Sequence, residues 1–426
     1  MYRPVDVVEI RAWGHLVGAV TLDPALGYYA FEYDRRWQRR GIELAPLTMP
    51  VAKAVHVFPL LPELTYRRLP AMLADALPDD FGNALIDAYL AREGVAKEQI
   101  SALDRLAYMG GRAMGAMEFK PARGPRQKTT AIEIGSLVES TRLALNGNFK
   151  GDRETEAAIM NLLLVGTSAG GAKAKAVIAW NPETGAIRSG QLPADPGFDY
   201  WLIKLDGVTP EQQLAGSLGE GRLEYAYYLM ATAAGISMSE CRLLEENGRA
   251  HFLTRRFDRQ NGEKQHIQTL CAINHIDYKQ LGTYDYNQFL QTITALGLPP
   301  EDLAQGYRRM VFNVMAANCD DHSKNHSFLL GEHGKWHLAP AYDLTHAFNP
   351  HGKWTFQHFH SVNGRFAGIR VSDLEAVGDR FMVPGYRQII KDVKGAVAQW
   401  PEFAKKAGLN ESQWKRVQND LRHAMT

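Results

Sequence analysis

The sequence predicts an α+β protein of two lobes, in which a β-rich N-terminal subdomain precedes a mixed lobe and a helical C-terminal lobe. Short β-prone runs separated by turn residues fill the first part of the chain, and a strong hairpin signal, Asn247-Gly248, lies further on. From about residue 265 onward, apolar residues recur at helical spacing. Strands followed by helices are typical of α+β proteins rather than of alternating α/β folds.

The composition is that of an ordinary globular protein: 45% of the 426 residues are hydrophobic and 22% are charged. The formal net charge of +1 gives no long-range field for nucleic acid, so any DNA contact is expected to be local or made through a partner. Three scattered cysteines, Cys241, Cys271 and Cys319, predict reduced thiols. Without an apolar run near the ~20 residues that span a bilayer, and without a signal core, we expect a cytoplasmic protein with no membrane contact.

The first part of the chain is predicted to form a β-meander over residues 5–33, with turns at Gly14 and Asp23–Gly27. Residues 120–130 are basic and rich in Pro and Gly, which is typical of a linker. We therefore place an N-terminal α/β subdomain at 1–120, the linker at 121–131, a mixed lobe at 132–262 and the helical lobe at 263–426.

A glycine-rich loop, Gly166–Lys173, precedes the strand-like run Ala176–Trp180. Glycines beside small hydroxyls expose backbone N–H groups that can cradle phosphates, and Lys173 and Lys175 add positive charge. Because a strand rather than a helix is predicted to follow, this is not a Walker loop. Taken alone, the loop leaves two interpretations open, a phosphate cradle and a mobile surface turn.

The apolar run Tyr200–Leu205 is predicted to be a strand with one lysine, Lys204, near its end. Such a lysine lies at the solvated rim of a sheet or pairs with an anion, and in a kinase it contacts the α- and β-phosphates. Glu224 in the next predicted helix either orients Lys204 or faces solvent. The hairpin around Asn247-Gly248 runs into Arg255–Phe257, whose backbone we expect to bond to an adenine.

The strongest chemical pattern is Asn318–Asn325, where two carboxylates, a lysine and an asparagine follow a helix-like run. Phosphoryl transfer needs a carboxylate that orients the nucleophile, oxygen ligands for a divalent metal and cations that neutralise the phosphate. Asp320 is followed five residues later by Asn325, the spacing of a kinase catalytic loop, and Lys324 lies between them. The pattern predicts a phosphoryl-transfer centre.

A predicted hairpin, 326–330 with 335–339, leads from this loop to Asp343. If position 326 lies opposite 339, Asn325 and Asp343 fall at the same end of the hairpin. The residues from 339 to 343 span at most ~14 Å, at ~3.3–3.6 Å per residue, so both side chains can reach one metal ion. This register predicts that Asn325 and Asp343 bind Mg²⁺.

Two other functions fit parts of the sequence. Eight of the 14 histidines fall between His322 and His360, and His/Asp clusters also build metal-dependent hydrolases. Against a hydrolase, His322 and His326 straddle a loop-to-strand boundary, and such an enzyme would leave the glycine loop and Lys204 without a role. The other alternative is a nucleotide-sensing co-repressor subunit, which would bind ATP without transferring phosphate.

Taken together, these motifs resemble the HipA family, the serine/threonine kinase toxins of bacterial HipBA toxin–antitoxin modules. The resemblance covers nearly the whole chain, and its most specific segments are Asn318–Asn325 and Pro340–Leu344. The further matching segments are Leu77–Gly82, Gly166–Lys173, Ile203-Lys204 and Arg256–Arg259. The resemblance implies a bilobed, protein-kinase-like (HipA-like) fold, in which the mixed lobe binds the nucleotide and the helical lobe is catalytic.

The resemblance implies that Asp320 is the catalytic base, with Lys324 beside it, and that Asn325 and Asp343 bind Mg²⁺ and contact the nucleotide. The other implied ATP contacts are Gly166, Thr167, Ser168, Ala169, Gly170, Gly171, Lys173, Lys204, Arg255, Phe257 and His322. Ser168 falls where family members autophosphorylate. Its phosphate, with a charge of about −1.5 to −2, would clash with the phosphates of ATP and switch the enzyme off.

The implied cofactors are ATP and Mg²⁺. The implied partners are a small helix-turn-helix antitoxin of the HipB type, which would supply the DNA contact, and a protein substrate such as an aminoacyl-tRNA synthetase or another translation factor. Two positions depart from the family pattern: Asp321 stands where some members carry glycine, and Arg255 where some carry a hinge glutamate.

Overall fold

Antiparallel sheets dominate the first half of the chain and helices the second, in agreement with the predicted α+β class. The computed structural model describes residues 2–78, 80–125, 132–146, 159, 162, 175–192, 194–208, 219–260 and 262–424. The chain divides into two compact units: the first is Met1–Leu218, Leu244–Gln268 and Leu330–Lys335, and the second is Gly219–Leu243, Thr269–Leu329 and Trp336–Thr426. The domain limits placed at 120, 131 and 262 stay a prediction.

The first unit begins with the predicted meander, which is confirmed as part of a five-stranded antiparallel sheet. Its strands lie in the spatial order Val55–His56, Tyr28–Tyr33, His15–Asp23, Val7–Ala12 and Met117–Lys120. The first hairpin turns at Trp13 and Gly14, whose φ angles of 49° and 76° match a two-residue type I′ turn. Gly18 is required by close packing, because a Cβ there would lie 2.2 Å from the carbonyl oxygen of Glu32.

Short helices lie in the part of the chain between the strands Tyr28–Tyr33 and Met117–Lys120. They are Arg35–Arg40, Glu63–Tyr66, Ala71–Ala74, Asp80–Arg92 and Ala102–Met109, with a 3₁₀ turn at Lys97–Gln99. Ser101 caps the last of these helices by accepting a hydrogen bond from the Asp104 N–H, while the Asp104 carboxylate accepts one from the Ser101 N–H. The buried residues of this helix pack it onto the sheet.

A second five-stranded sheet contains the predicted nucleotide strands. Its spatial order is Ile187–Ser189, Lys175–Trp180, Asp199–Lys204, Arg249–Arg255 and Cys241–Glu246. The Asn247-Gly248 hairpin is confirmed, and the φ angles of 46° and 77° at these residues are those of a type I′ turn. Helical patterns in the sequence at 132–146 and 152–164 predict two helices before this sheet. The first is found at Ile134–Asn146, and the second lies outside the described residues except at positions 159 and 162.

A buried cluster around Asp258 joins the N-terminal domain to the segment that follows the second sheet. The carboxylate contacts Arg256 at 2.7 Å and Arg259 at 2.8 Å, and it accepts a hydrogen bond from the Gly115 N–H at 2.7 Å. Burial alone would raise the pKa of Asp258, but the two guanidiniums outweigh it and hold this pKa well below its usual range. The cluster therefore keeps a charged carboxylate in the interior of the first unit.

The second unit is predominantly helical. Its helices are Glu220–Ala233, Leu270–Ile273, Tyr286–Ala295, Pro300–Met315, Val371–Arg380, Tyr386–Ala398, Trp400–Lys406 and Glu411–Ala424, with a 3₁₀ turn at Ser323–Asn325. Short strands accompany them: the chain has strands at His266–Thr269, Tyr284–Asp285, Ser327–Leu330, Trp336–Leu338 and His360–Ser361, besides the pair Arg259–Gln260 and Glu263–Lys264. Tyr284–Asp285 and His360–Ser361 pair in parallel.

The long helix Pro300–Met315 is the support of the candidate catalytic loop. Tyr227 is fully buried against Phe312 and Trp400, and its hydroxyl donates to the Ala316 carbonyl at 2.6 Å. The end of the helix is therefore fixed two residues before the loop begins. Among the helices of the described residues, none is long and apolar enough to cross a bilayer.

Asp258 gives a test of the buried cluster. We expect Asp258→Ala to lower the free energy of unfolding by ~3–5 kcal/mol, because it leaves two buried guanidiniums without their carboxylate. The matched control is Asp199→Ala, which removes an exposed carboxylate paired with Arg255 at 2.7 Å and should cost less than ~1 kcal/mol. Urea unfolding followed by circular dichroism measures both, and equal losses would contradict this account of the cluster.

Candidate functional site

In the first unit, two lysines lie side by side at the end of neighbouring strands. Lys204 is the last residue of the strand Asp199–Lys204, and Lys175 is the first residue of the adjacent strand Lys175–Trp180. The two lysines lie directly opposite each other in the antiparallel ladder. Their side chains share one face of the sheet, where Lys175 is buried and Lys204 is half-buried. Two ammonium groups on one face of a sheet are an arrangement that can bind a phosphate.

The sequence led us to treat Lys175 only as additional charge beside the glycine loop. The local pattern does not reveal that Lys175 lies opposite Lys204, because this register depends on pairing between strands about 20 residues apart. The glycine-loop residues themselves, Gly166, Thr167, Ser168, Ala169, Gly170, Gly171 and Lys173, lie outside the described residues. Their assignment stays a prediction.

The predicted adenine hinge lies at the end of the strand Arg249–Arg255. The Arg255 side chain is exposed and pairs with Asp199, and the Arg256 N–H donates to the Tyr200 carbonyl at 2.9 Å. Because this N–H is used within the sheet, Arg256 does not offer it to an adenine. Backbone contacts of Arg255 and Phe257 with adenine stay a prediction.

In the second unit, the two consecutive aspartates of the candidate catalytic loop have opposite environments. The Asp320 side chain is 47% exposed, whereas that of Asp321 is 0% exposed. A half-exposed carboxylate is accessible to a substrate hydroxyl, while a buried one must be compensated by protein groups. The sequence alone does not distinguish these two aspartates, whereas the structure shows that one side chain is accessible and the other is buried.

Asp321 is compensated by four groups from two distant segments. Its Oδ2 accepts from the Tyr286 hydroxyl at 2.7 Å and lies 3.1 Å from His358 Nδ1, and its Oδ1 accepts from the Phe359 N–H at 2.8 Å. His360 Nδ1 donates to the Asp321 carbonyl at 2.6 Å. His358 is thus the charged partner of Asp321, and the sequence pattern did not identify it because it lies 37 residues away.

The charge of this buried pair follows from its mutual contact. Burial by itself would raise the pKa of Asp321 and lower that of His358. The attraction between them outweighs burial, so the pKa of Asp321 falls below its ordinary value and the pKa of His358 rises to about 10. The pair is therefore an aspartate and an imidazolium at neutral pH. The buried Cys319 has its Sγ 3.8 Å from Nε2 of His358.

The loop between Asp320 and Asn325 is closed by a hydrogen bond between its ends. The Asn325 Nδ2 donates to the Asp320 carbonyl at 2.7 Å, which fixes the amide plane. The amide oxygen is then held on the other side of the group, and an amide oxygen is a ligand type that Mg²⁺ accepts. His322 Nε2 lies 3.8 Å from Asp320 Oδ1, so the imidazole stands directly beside the predicted base.

Tyr342 connects this loop to the segment that carries Asp343. Its hydroxyl donates to the Lys324 carbonyl at 2.6 Å, so the residues immediately before Asn325 and Asp343 are bonded to each other. Asp343 itself has a φ of 57°, a left-handed conformation that Asp adopts more readily than most residues. These contacts are compatible with a shared metal site of one amide and one carboxylate oxygen, which stays a prediction.

The hairpin register differs by one residue from the expected one. The Ala339 N–H donates to the Ser327 carbonyl at 3.0 Å, which places Ser327 rather than His326 opposite Ala339. The predicted turn was one residue too short, because the strands are Ser327–Leu330 and Trp336–Leu338 and five residues connect them. Asn325 and Asp343 remain on the same side of the hairpin with this register.

The histidines of this region have structural roles that bear on the hydrolase alternative. His326 is fully buried and stacks on Phe289 at 4.3 Å, and burial lowers the pKa values of His326 and His360. Neutral imidazoles in a packed core need no metal. Within the described part of the chain, no three His, Cys, Asp or Glu side chains are grouped so that they could share a metal ion.

Comparison with known families accounts for most of the chain. The family model of the HipA N-terminal domain matches residues 8–120, and that of the HipA-like C-terminal domain matches residues 167–425. Among named proteins, the chain is 28% identical over 169 residues to a Sinorhizobium fredii (strain NBRC 101917 / NGR234) protein named "Putative kinase Y4dM". That match spans 36% of this chain and only 39% of the length of the Sinorhizobium protein.

Solved structures extend the likeness to the whole fold. A chain of the Shewanella oneidensis MR-1 toxin–antitoxin complex of HipA, HipB and operator DNA superposes with a TM-score of 0.64 at 15% identity. The superposition covers 98% of this chain and 96% of the Shewanella chain, so the predicted HipA-like fold is confirmed. The Helicobacter pylori proinflammatory kinase CtkA is 12% identical and gives a TM-score of 0.37 over 60% of this chain, which is too low to indicate a common fold.

The buried pair predicts a stability loss with a defined pH dependence. His358→Gln should lower the free energy of unfolding by ~3–5 kcal/mol near pH 5.5, because Asp321 keeps a buried charge without its partner. The stabilisation of the folded state by protonated His358 is complete below the ordinary histidine pKa of ~6.5. It is lost as the pH rises through the pKa of His358 in the folded protein, about 10. The contribution of Asp321 is present above ~pH 4 and is lost as the pH falls.

Urea unfolding of the wild type and His358→Gln at about pH 5.5 and about pH 9.5 measures this dependence. The difference between the two proteins should shrink at the higher pH. Lys415→Gln, which removes an exposed helix pair with Glu411, is the control and should cost ~0.5 kcal/mol or less at either pH. A His358→Gln difference that stays constant between the two pH values would mean that the pair is a neutral hydrogen bond.

Proposed function

This chain belongs to the HipA family, and from that premise we propose that it is a Mg²⁺·ATP-dependent protein serine/threonine kinase. The observation that carries the proposal is the pair of consecutive aspartates, one accessible and one locked in the core. Asp321 anchors the loop, so Asp320 presents its carboxylate from a backbone that does not depend on substrate for its position. The proposed role of Asp320 is to orient the substrate hydroxyl and accept its proton.

The proposed metal ligands are Asn325 and Asp343, which offer an amide and a carboxylate oxygen, the hard donors that Mg²⁺ prefers. When bound there, Mg²⁺ would supply positive charge that offsets the charge of the phosphates. Lys324 lies with its Nζ 4.9 Å from the centre of the Tyr278 ring and is proposed to add positive charge next to Asp320. His322 is proposed to contact the nucleotide as well as to orient Asp320.

In the first unit, Lys204 is proposed to contact the nucleotide phosphates, and we add Lys175 to it because the two are paired in register. The glycine loop is proposed to donate its N–H groups to the same phosphates. Ser168 is proposed as the autophosphorylation site, where a phosphate would repel the phosphates of ATP. Arg255 and Phe257 are proposed to offer backbone groups to the adenine.

The proposed biological role is that of a toxin in a type II toxin–antitoxin system. The Shewanella protein with the same fold was solved with HipB and operator DNA, which supports a HipB-type helix-turn-helix partner for this chain. The formal net charge of +1 fits a protein that reaches DNA through such a partner. The proposed substrate is a protein, such as an aminoacyl-tRNA synthetase or another translation factor, in the cytoplasm.

Asp320→Asn is the direct test of the kinase proposal. We expect the variant to bind ATP like the wild type and to lose transfer of ³²P from labelled ATP by ~10²–10⁴-fold, the usual contribution of a general base. Mass spectrometry of wild type incubated with Mg²⁺·ATP should find phosphate on Ser168, and the variant should carry none. Glu301→Gln, an exposed residue in the first turn of the helix Pro300–Met315 that precedes the loop, is the control and should retain transfer.

Substantial transfer by Asp320→Asn would contradict the assigned base. If the wild type binds ATP but modifies neither itself nor any protein of a cell lysate, the chain is a nucleotide-sensing co-repressor subunit instead. Phosphate on lysate proteins without phosphate on Ser168 would remove only the switch in the glycine loop.

ATP affinity tests the metal and phosphate residues separately from chemistry. Lys204→Ala and Lys175→Ala should each raise the Kd for Mg²⁺·ATP by ~10–100-fold, because each removes a charged hydrogen-bond donor worth ~1.5–3 kcal/mol. Asp343→Asn should weaken binding of Mg²⁺·ATP more than binding of ATP with EDTA, and Asn tolerates the positive φ at this position. Isothermal calorimetry measures the Kd values, with exposed Lys53→Ala as the control. An unchanged Kd for Lys175→Ala would remove Lys175 from the site.

A further inference from the structure

A row of four aromatic rings runs through the second unit, past the predicted base to the protein surface. Tyr278 contacts His322 with ring centres 5.5 Å apart, His322 contacts Phe359 at 5.6 Å, and Phe359 stacks on Trp354 at 6.3 Å. His322 is the ring that lies beside Asp320. We call these four residues the aromatic row.

The outer end of the aromatic row is exposed and is held by a closed loop. Trp354 is 44% exposed and Phe356 is 42% exposed, so two aromatic side chains two residues apart offer apolar surface to solvent. The Asn349 N–H donates to the Thr355 carbonyl at 3.1 Å, so the loop between these residues is closed by a backbone hydrogen bond. Phe359 beneath Trp354 is buried, which fixes the base of the stack.

Lysines lie against the rings at both ends of the row, whereas the carboxylate of Asp320 lies beside His322 in its middle. Lys353 lies with its Nζ 4.8 Å from the centre of the Trp354 ring, and Lys324 and Lys279 lie over Tyr278 at the other end. The 29 residues between Asp343 and Asp373 contain no Asp or Glu, although Asp and Glu make up 47 of the 426 residues. The described residues offer Lys353 no carboxylate within 4 Å. The outer end of the row is thus apolar, positively charged and accessible.

We propose that Trp354, Phe356 and Lys353 form a docking surface for a protein substrate, and that its occupant is an acidic polypeptide segment carrying an aromatic residue near the phosphoacceptor hydroxyl. This rests on the proposed kinase function, since it places the hydroxyl at Asp320. Aromatic side chains stack on Trp354, and carboxylates pair with Lys353. A nucleic acid is a poorer fit, because the chain has a net charge of only +1 and the lysines of the row do not form a continuous basic stripe.

The spacing of the rings adds a distance to the proposal. The steps from His322 to Phe359 and on to Trp354 measure 5.6 Å and 6.3 Å. Placed end to end, these steps equal about four residues of extended chain at ~3.3 Å each, which is the upper limit of the separation between His322 and Trp354. The aromatic anchor of the substrate therefore lies within about four residues of the serine or threonine that is phosphorylated.

Binding without nucleotide tests the surface independently of catalysis. The probe is a fluorescein-labelled peptide with one serine, glutamates on both sides and a tyrosine four residues away, and fluorescence anisotropy with the full chain gives its Kd. We expect Trp354→Ala combined with Phe356→Ala, and separately Lys353→Glu, to raise this Kd by about tenfold or more, as for loss of an interface anchor. Met382→Ala and Lys394→Glu, exposed on the same unit, are matched controls and should leave it unchanged.

Three results would overturn the docking surface: no binding of the acidic peptide by wild type, equal binding of a peptide with lysines in place of the glutamates, or equal loss in the control variants. Tighter binding of a labelled oligothymidylate that depends on Trp354 would assign the surface to nucleic acid and also overturn the proposal. The outcome is separable from that of the kinase assignment. Trp354-dependent peptide binding without any phosphate transfer would leave the surface standing and remove the kinase, whereas equal phosphorylation of acidic and lysine peptides would do the reverse.

Discussion

The buried contact between Asp321 and His358 is the constraint on which the candidate catalytic loop depends. A carboxylate with no exposed surface is stable only when both of its oxygens are hydrogen-bonded, and here a hydroxyl and an imidazolium contact Oδ2 while a backbone N–H donates to Oδ1. These donors come from segments before and after the loop in sequence, so the loop is held from both sides. The accessible position of Asp320 is the result, because the residue next to it is locked in place.

Much of this architecture follows from local sequence. The Asn247-Gly248 turn was predictable because few residues other than Asn and Gly accept a positive φ at two consecutive positions. Apolar residues at helical spacing predict the helices of the second unit, and the spacing of Asp320 and Asn325 indicates the candidate catalytic loop. These features depend on a few neighbouring residues, which is the range over which a single sequence is informative.

The features that sequence reasoning missed depend on distant pairing. The partnership of Asp321 with His358, the position of Lys175 opposite Lys204 and the one-residue shift of the 327–338 hairpin are each set by how separate segments meet. A one-residue change of register moves every side chain of a strand to the other face, so small errors in turn length have large effects on a predicted site. The aromatic row was also invisible, because its four members come from three separate segments.

The cluster around Asp258 has a consequence for where this chain can be divided. The Pro- and Gly-rich stretch after residue 120 has the composition of a linker, yet Asp258 takes a hydrogen bond from the Gly115 N–H, and Arg259 donates to the Gly115 carbonyl. A fragment that begins after this stretch would keep the charged side chains of Arg256, Asp258 and Arg259. It would lose the N–H and the carbonyl of Gly115, to which Asp258 and Arg259 are hydrogen-bonded. The N-terminal domain and the second sheet therefore belong to one compact unit, and a cut after residue 120 would leave buried charges of the second part without their backbone partners.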